Sequence, residues 1–473
     1  MIEPRLSRGL RDLLPEYMLA RQQMIDTIRR VYELYGFSPL ETPAVEFLDV
    51  LSGSAGQEAS ESIFRVTNPE EEALGLRFDL TVPLSRVVSQ YPEIVFPFRR
   101  YQVSQVWRAD KPAAGRYREF TQFDLDSVGA ESEVADTEIL AGICDTLDAL
   151  KVGPYRVRVS SRKILNLLLD HAAIPSSSAA DVFRVLDKLE KIGIERVRKE
   201  LTTGYVDQSG DTIRGVGLTD GHVAKIEEFL AIGGESRQDV LDRLQALFAG
   251  LERADEEIAV LRRISSQLDS LGYGSDRVMI DVSIARGLAY YTGPVFEAVL
   301  LDAPSFGSVF AGGRYDDLVT RFSGRKIPAT GASIGVDRLL AALLELKRIR
   351  RRRTASQVLI TTMDANLMGE YLAITYELRR AGIRTEINVG PPKKLGKQLQ
   401  RADRLEIPYV VIFGSDEAAR GVVTVKEMMV GREAAAEVAG HEQWKAGRFG
   451  QQEVKRVDLA ATLKTLLAEA GGL

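Results

Sequence analysis

Residues 164–275 of this chain carry long helical periodicities and hardly any strand pattern, while strand-like alternation lies on both sides of them. The last strand before this interruption reads Tyr155-Arg-Val-Arg-Val-Ser, and strand patterning resumes at Val278. A hydrophobic sheet face must be covered, so the two flanks are expected to form one discontinuous domain with a helical insertion. A chain of 473 residues is also too long for a single core. After the basic run Lys347–Arg353, strands over 358–361, 384–389, 409–413 and 422–425 and helices over 367–381 and 395–405 predict a compact α/β domain with a mainly parallel sheet. The expected division is 1–163 and 276–346 for the split domain, an antiparallel sheet flanked by helices, and 164–275 for the insertion. A basic linker (347–354), the α/β domain (355–436) and a tail ending in a helix (437–473) complete it.

Polar residues in awkward places carry the functional signal. The stretch Ile284–Phe296 joins two apolar, strand-like runs and puts Arg286, Tyr290 and Tyr291 beside them. A guanidinium next to a core must meet an anion, from the protein or from a ligand. On the strand expected over 116–126, Arg116, Arg118, Phe120, Gln122, Asp124 and Asp126 share one face by period-two alternation. Such a face makes a poor core and a good ligand floor. Arg338 falls in the first turn of a helix, where its charge opposes the helix dipole unless an anion is near. With Arg108, these arginines fit a clamp on a polyphosphate, since no Gly-Lys phosphate loop is present, and Asp79 belongs with the acids of the same set. Phe120 suits stacking on a base, and the acids and tyrosine hydroxyls suit an amine and a small polar side chain.

Other chemistries find little support. Cys144 is the only cysteine and sits at helical spacing with Leu140, Ile143 and Leu147, the pattern of a packing residue. His171, His222 and His441 are widely separated and lack metal-ligand spacing. No apolar run reaches the roughly 18 residues of a membrane span, and residues 1–15 lack a signal-peptide core, which points to the cytoplasm and no membrane partner. The net charge of −5 leaves a nucleic-acid partner open, because local basic surface decides that contact.

The motifs resemble those of the histidyl-tRNA synthetases, a class II aminoacyl-tRNA synthetase family, over nearly the full length. Gly36–Glu46 is similar to motif 1, Val106-Trp-Arg-Ala-Asp through Gln122 to motif 2, and Gly331–Leu339 to motif 3. Arg286-Gly-Leu-Ala-Tyr-Tyr-Thr-Gly and Gly312-Gly-Arg-Tyr-Asp are similar to two histidine-specific signatures, and residues from about 355 to an anticodon-binding domain. The resemblance implies ATP-dependent activation of L-histidine and its transfer to tRNA-His, by a homodimer joined through the motif 1 region, with Mg2+ accompanying ATP. It implies ATP contacts from Arg108, Asp110, Arg116, Phe120 and Arg338, and histidine contacts from Asp79, Thr81, Gln122, Asp126, Arg286, Tyr290, Tyr291 and Tyr315. Arg286 and Arg108 would be the catalytic pair. Three positions depart from the family pattern: Ala289 stands in place of an aspartate, Asp79 lies in a Phe-Asp-Leu-Thr context, and Lys111-Pro-Ala-Ala lacks a glutamine. A non-catalytic, synthetase-like regulatory subunit of histidine biosynthesis and a plain RNA-binding protein are the other two readings. The first usually lacks the anticodon domain and the catalytic arginines, and the second has no need of a histidine pocket.

Overall fold

The computed structural model describes residues 1–52, 62–111, 117–207, 210–285, 290–390, 394–429 and 450–469. The chain forms two compact units, residues 1–12 with 21–349 and residues 13–20 with 350–473.

The first unit is built on an eight-stranded sheet. Its strands are β1 (Ser38–Pro39), β2 (Phe98–Trp107), β3 (Glu119–Val128), β4 (Tyr155–Ser161), β5 (Val278–Ile280), β6 (Pro294–Leu300), β7 (Ser308–Arg314) and β8 (Ala329–Gly335). They lie in the order β1-β2-β3-β8-β7-β6-β4-β5. The two outermost pairs are parallel and the five inner ones antiparallel. Strands from before and after the insertion interleave: β3 pairs with β8, and β4 lies between β5 and β6. The two runs that flank the Arg286 stretch are therefore not neighbours; both border β4. The first also stops at Ile280, earlier than its apolar pattern suggests. Asp281 ends it by accepting from the Ser283 N–H and hydroxyl at 2.9 and 2.6 Å, a local turn that competes with the ladder.

Helix Val134–Ala149 buries Ile139, Leu140, Ile143, Cys144 and Leu147 against this sheet. Burial pushes the Cys144 thiol up to about 12, which suits a packing residue and not a nucleophile. The insertion is mainly helical, and it contains one two-stranded hairpin that the periodicity did not reveal, Gly204–Val206 with Thr212–Arg214. Three residues are too few to register as alternation. The hairpin depends on Gly204, at φ +78°, where a Cβ would stand 2.1 Å from the Ile213 carbonyl oxygen.

The second unit has five strands, β9 (Val358–Ile360), β10 (Thr385–Ile387), β11 (Tyr409–Ile412), β12 (Val422–Glu427) and β13 (Gln451–Lys455), in the order β10-β9-β11-β12-β13. The first three are parallel, as expected; β12 and β13 are antiparallel additions. Helix Leu459–Glu469 buries Leu459, Leu463 and Leu467 in the same core as Tyr371, Ile374 and Leu378. The residues expected as a separate tail thus complete this unit from 450 to 469. Their signal was weak because β13 is a polar edge strand with two half-exposed and three exposed side chains. Among the described residues, no helix is long and apolar enough to cross a membrane.

Candidate active site

β3 is the floor of the site. Phe123 and Leu125 point into the core and are fully buried, so Gln122, Asp124 and Asp126 must face the opposite side. There they line a cavity of about 380 Å³. Asp79 and Thr81, just before and at the start of helix Thr81–Gln90, form another part of its wall, and Asp79 accepts from the Val82 N–H at 3.2 Å. Tyr290, Tyr291 and Tyr315 form a third, with the Tyr290 ring 4.6 Å from Tyr291 and edge-on to Tyr315 at 6.3 Å.

The carboxylates are held in different ways. Asp126 accepts from the Tyr315 hydroxyl, and its second oxygen lies 2.9 Å from Arg100 Nη2. Arg100 is fully buried, stands directly across the strand pair from Asp126, and also donates to the Leu80 carbonyl at 3.1 Å. Gly331 makes room for this arrangement on the other side, since a Cβ there would stand 2.0 Å from Asp126 Oδ1. Burial raises the Asp79 carboxyl to about 6, a rise that the Val82 N–H and Arg108 moderate. Burial also raises Asp124 and Asp126, against the pull of Arg100. All three phenols are raised by burial, so they remain hydrogen-bond donors at neutral pH. Gln122 donates to Ser333 Oγ at 2.8 Å, while its own Oε1 and Asp124 Oδ1 are buried without a hydrogen-bond partner among the described residues. These buried acceptors are open to donors on a ligand, such as an amine or a ring N–H.

At the other end, Arg108 fixes its guanidinium by donating Nε to the Phe78 carbonyl at 3.0 Å, 5.3 Å from the Phe120 ring centre. Asp110 lines the cavity too, with Arg118 donating to its carbonyl at 3.0 Å. Arg118 thus braces the wall instead of joining it, and β3 begins only at Glu119. Phe120 and Arg338 are set back from the cavity lining. Arg338 donates to the Ser308 carbonyl at 2.8 Å, and the preceding Asp337 accepts from the Thr121 N–H at 2.8 Å and from Arg11 at 2.7 Å. This anchors the helix of the third motif to β3. Arg116, Arg286 and Ala289 lie outside the described residues, as do positions 112–115 of the motif 2 turn.

Three contributors were not assigned from sequence. Arg100 is recognisable only through cross-strand register with Asp126. Asp124 was on the correct face but had no role. Arg314, in Gly312-Gly-Arg-Tyr-Asp, turns away from the cavity and forms a buried ion pair with Asp136 at 2.6 Å, which leaves Tyr315 to face the ligand.

The sequence model of the family described as histidyl-tRNA synthetase matches residues 9–339. This chain belongs to that family. As a histidyl-tRNA synthetase family member it also matches the model of an anticodon binding domain, over residues 357–465. The histidine-tRNA ligase of Paracoccus denitrificans is 42% identical, with 97% of each chain covered. That of Rhizobium leguminosarum is 41% identical over 99% of this chain and 96% of its own. Among solved structures, histidyl-tRNA synthetase from Nostoc sp. PCC 7120 superposes with a TM-score of 0.83 at 33% identity, covering 99% of this chain and 100% of that one. A protein from Bacillus halodurans described as an ATP phosphoribosyltransferase regulatory subunit/histidyl-tRNA synthetase shares the fold, with a TM-score of 0.68 at 21% identity over 84% of this chain and 97% of that one. The large, mostly antiparallel sheet and the second, smaller sheet are those of the family.

Proposed function

We propose that this chain is a histidine-tRNA ligase, which activates L-histidine with ATP to histidyl-adenylate and transfers the histidyl group to the 3′ end of tRNA-His. The observation that carries this reading is one cavity with Asp79 in its wall and Asp126, held by Tyr315 and Arg100, on its floor. Asp79 and Thr81 take the α-ammonium group, and Gln122 lies along the substrate backbone. Asp126 and Tyr291 take the imidazole, with Tyr290 and Tyr315 lining its pocket. Arg108 holds the α-phosphate and Arg338 the γ-phosphate, Arg116 is a further ATP contact, Phe120 stacks on adenine and Asp110 approaches its amino group. Arg286 steadies the histidine carboxylate and α-phosphate. That carboxylate attacks the α-phosphorus in line and pyrophosphate leaves, so no protein base is required. The terminal adenosine hydroxyl of the tRNA then attacks the acyl carbon, and AMP leaves.

Mg2+ travels with the triphosphate, as an ion held largely by phosphate oxygens and water. Among the described residues, no group of three His, Cys, Asp or Glu is placed to hold a metal ion by itself. The working form is a cytoplasmic homodimer joined through residues 36–46, and the unit from 350 onward reads the anticodon. The regulatory-subunit reading is disfavoured by Arg108 on the cavity wall and by that second unit.

Histidine-dependent ATP–pyrophosphate exchange tests the assignment. Wild type is expected to exchange with histidine and with no other amino acid; silence would sink the ligase reading. Arg286→Ala is expected to lower the rate by about 10²–10³-fold, the usual cost of one transition-state charge contact. An unimpaired variant would remove only the role given to Arg286.

The raised Asp79 carboxyl predicts an acid limb. A proton on Asp79 competes with the substrate ammonium, so binding is complete above the carboxyl's value and is lost as pH falls through about 6. The KM for histidine should climb over that range, read from initial rates at fixed, saturating ATP. A KM that stays flat down to about pH 5 would remove Asp79 from the ammonium site.

A further inference from the structure

A carboxamide fits its site equally well in two orientations half a turn apart, and only its neighbours decide whether its oxygen or its nitrogen is left for a ligand. Gln122 is such a group. Its Nε2 donates to Ser333 Oγ at 2.8 Å, and its Oε1 is buried without a hydrogen-bond partner among the described residues. Both side chains belong to the cavity lining, as do Asp79, Thr81 and Asp124. The register of β3 and β8 accounts for the contact: Ser333 stands directly across from Asp124, and Gly335 directly across from Gln122. With no side chain opposite it, the Gln122 amide reaches diagonally to Ser333.

Ser333 has one hydroxyl proton to give, and the Asp124 carboxylate across the strand pair is the strongest acceptor beside it. Burial raises the Asp124 carboxyl to about 7, and Arg100 and the Ser333 hydroxyl pull against that rise, as groups that favour the ionised form do. Arg100 Nη2 lies 3.9 Å from Asp124 Oδ2. With its proton committed to Asp124, Ser333 can only accept from Gln122, so the amide turns Nε2 to Ser333 and keeps Oε1 for a donor. An ammonium group carries three N–H donors, and Asp79 and Thr81 account for two of them. We propose, building on the ligase reading above, that Asp124 and Ser333 are positioning residues whose hydrogen-bond direction makes Gln122 Oε1 the third acceptor for the α-ammonium of histidine.

The direction of these bonds is what Asp124 contributes. A neutral amide at position 124 keeps the shape but donates to Ser333, which frees the hydroxyl proton for Gln122 Oε1 and takes that acceptor from the ligand. Loss of the hydroxyl at position 333 acts on the same atom from the other side: Gln122 Nε2 loses its acceptor, and the amide no longer prefers one orientation. Asp126, which serves the imidazole, keeps Tyr315 and Arg100 as its partners in both cases. The two changes therefore bear on the amine of the substrate and leave its ring alone.

The test compares histidine with its des-amino analogue imidazolepropionate, which keeps the ring and the carboxylate. The histidine KM and the analogue's inhibition constant are read from pyrophosphate exchange by full-length wild type, Ser333→Ala and Asp124→Asn. The assays are run at about pH 8, above the value of the Asp124 carboxyl. Each variant is expected to raise the histidine KM about tenfold or more and to leave the analogue's constant unchanged, because only the amine loses an acceptor. The double variant should be no worse than the more impaired single one, since both substitutions act through one amide. Equal weakening of histidine and analogue would mean a merely structural role and would overturn the proposal. An unchanged histidine KM, or additive losses in the double variant, would overturn it too. Wild-type protein that exchanges nothing on adding histidine would fail the ligase reading instead, so the two failures are distinguishable.

Discussion

Arg108→Ala is expected to reduce histidine-dependent pyrophosphate exchange by about 10²–10³-fold, mainly through kcat. The guanidinium is fixed before any ligand arrives: its Nε donates to the Phe78 carbonyl at 3.0 Å, and its backbone N–H donates to the Arg118 carbonyl at 2.9 Å. A charge held in this way needs no reorganisation as negative charge builds on the α-phosphate, so its value is greatest in the transition state. Arg108→Lys should recover little, because an ammonium group cannot keep both the Phe78 bond and a bidentate phosphate contact. Steady-state kinetics decide the matter. A variant whose histidine or ATP KM rises while kcat holds would show that Arg108 binds substrate and does not stabilise the reaction.

Gly331→Ala is expected to remove histidine activation almost as completely, although the new methyl group touches no substrate. Its Cβ would stand 2.0 Å from Asp126 Oδ1 and 2.6 Å from the Leu125 carbonyl oxygen. β8 cannot withdraw easily, because it is paired on both sides, with β3 and with β7. The carboxylate therefore has to move, and it loses the Tyr315 hydroxyl or Arg100. Displacing a charged, buried hydrogen-bonding group costs about 3 kcal/mol, so kcat/KM for histidine should fall about 10²-fold or more. Far-UV circular dichroism checks that the sheet survives. Retention of wild-type kcat/KM by a folded variant would mean that Asp126 does not bind the imidazole.

The polar positions were legible in proportion to how local their cause is. Asp126, Gln122 and the tyrosines announced themselves because alternation along one strand, or a signature within one loop, is enough to place them. Arg100 did not, although it holds Asp126, because its importance exists only once β2 is in register with β3. Arg314 lies inside a signature, and its ion pair with Asp136 joins residues far apart in sequence, so the motif alone could not tell anchor from ligand contact. The discontinuous domain was readable from the change in periodicity. The end of the chain was not, because β13 is polar and its apolar face is supplied by the helix that follows.

The interleaved sheet also sets a schedule for synthesis. Val128 pairs with Ala329, about 200 residues later, so β3 emerges from the ribosome long before its partner exists. During that interval the nascent chain carries an open strand edge beside Asp126, the kind of surface that invites pairing with the wrong chain. The insertion, whose first and last helices pack on each other, can fold within that wait and draw its two ends together. Substitutions that destabilise the insertion should then lower the yield of soluble protein more than the specific activity of the molecules that complete the sheet.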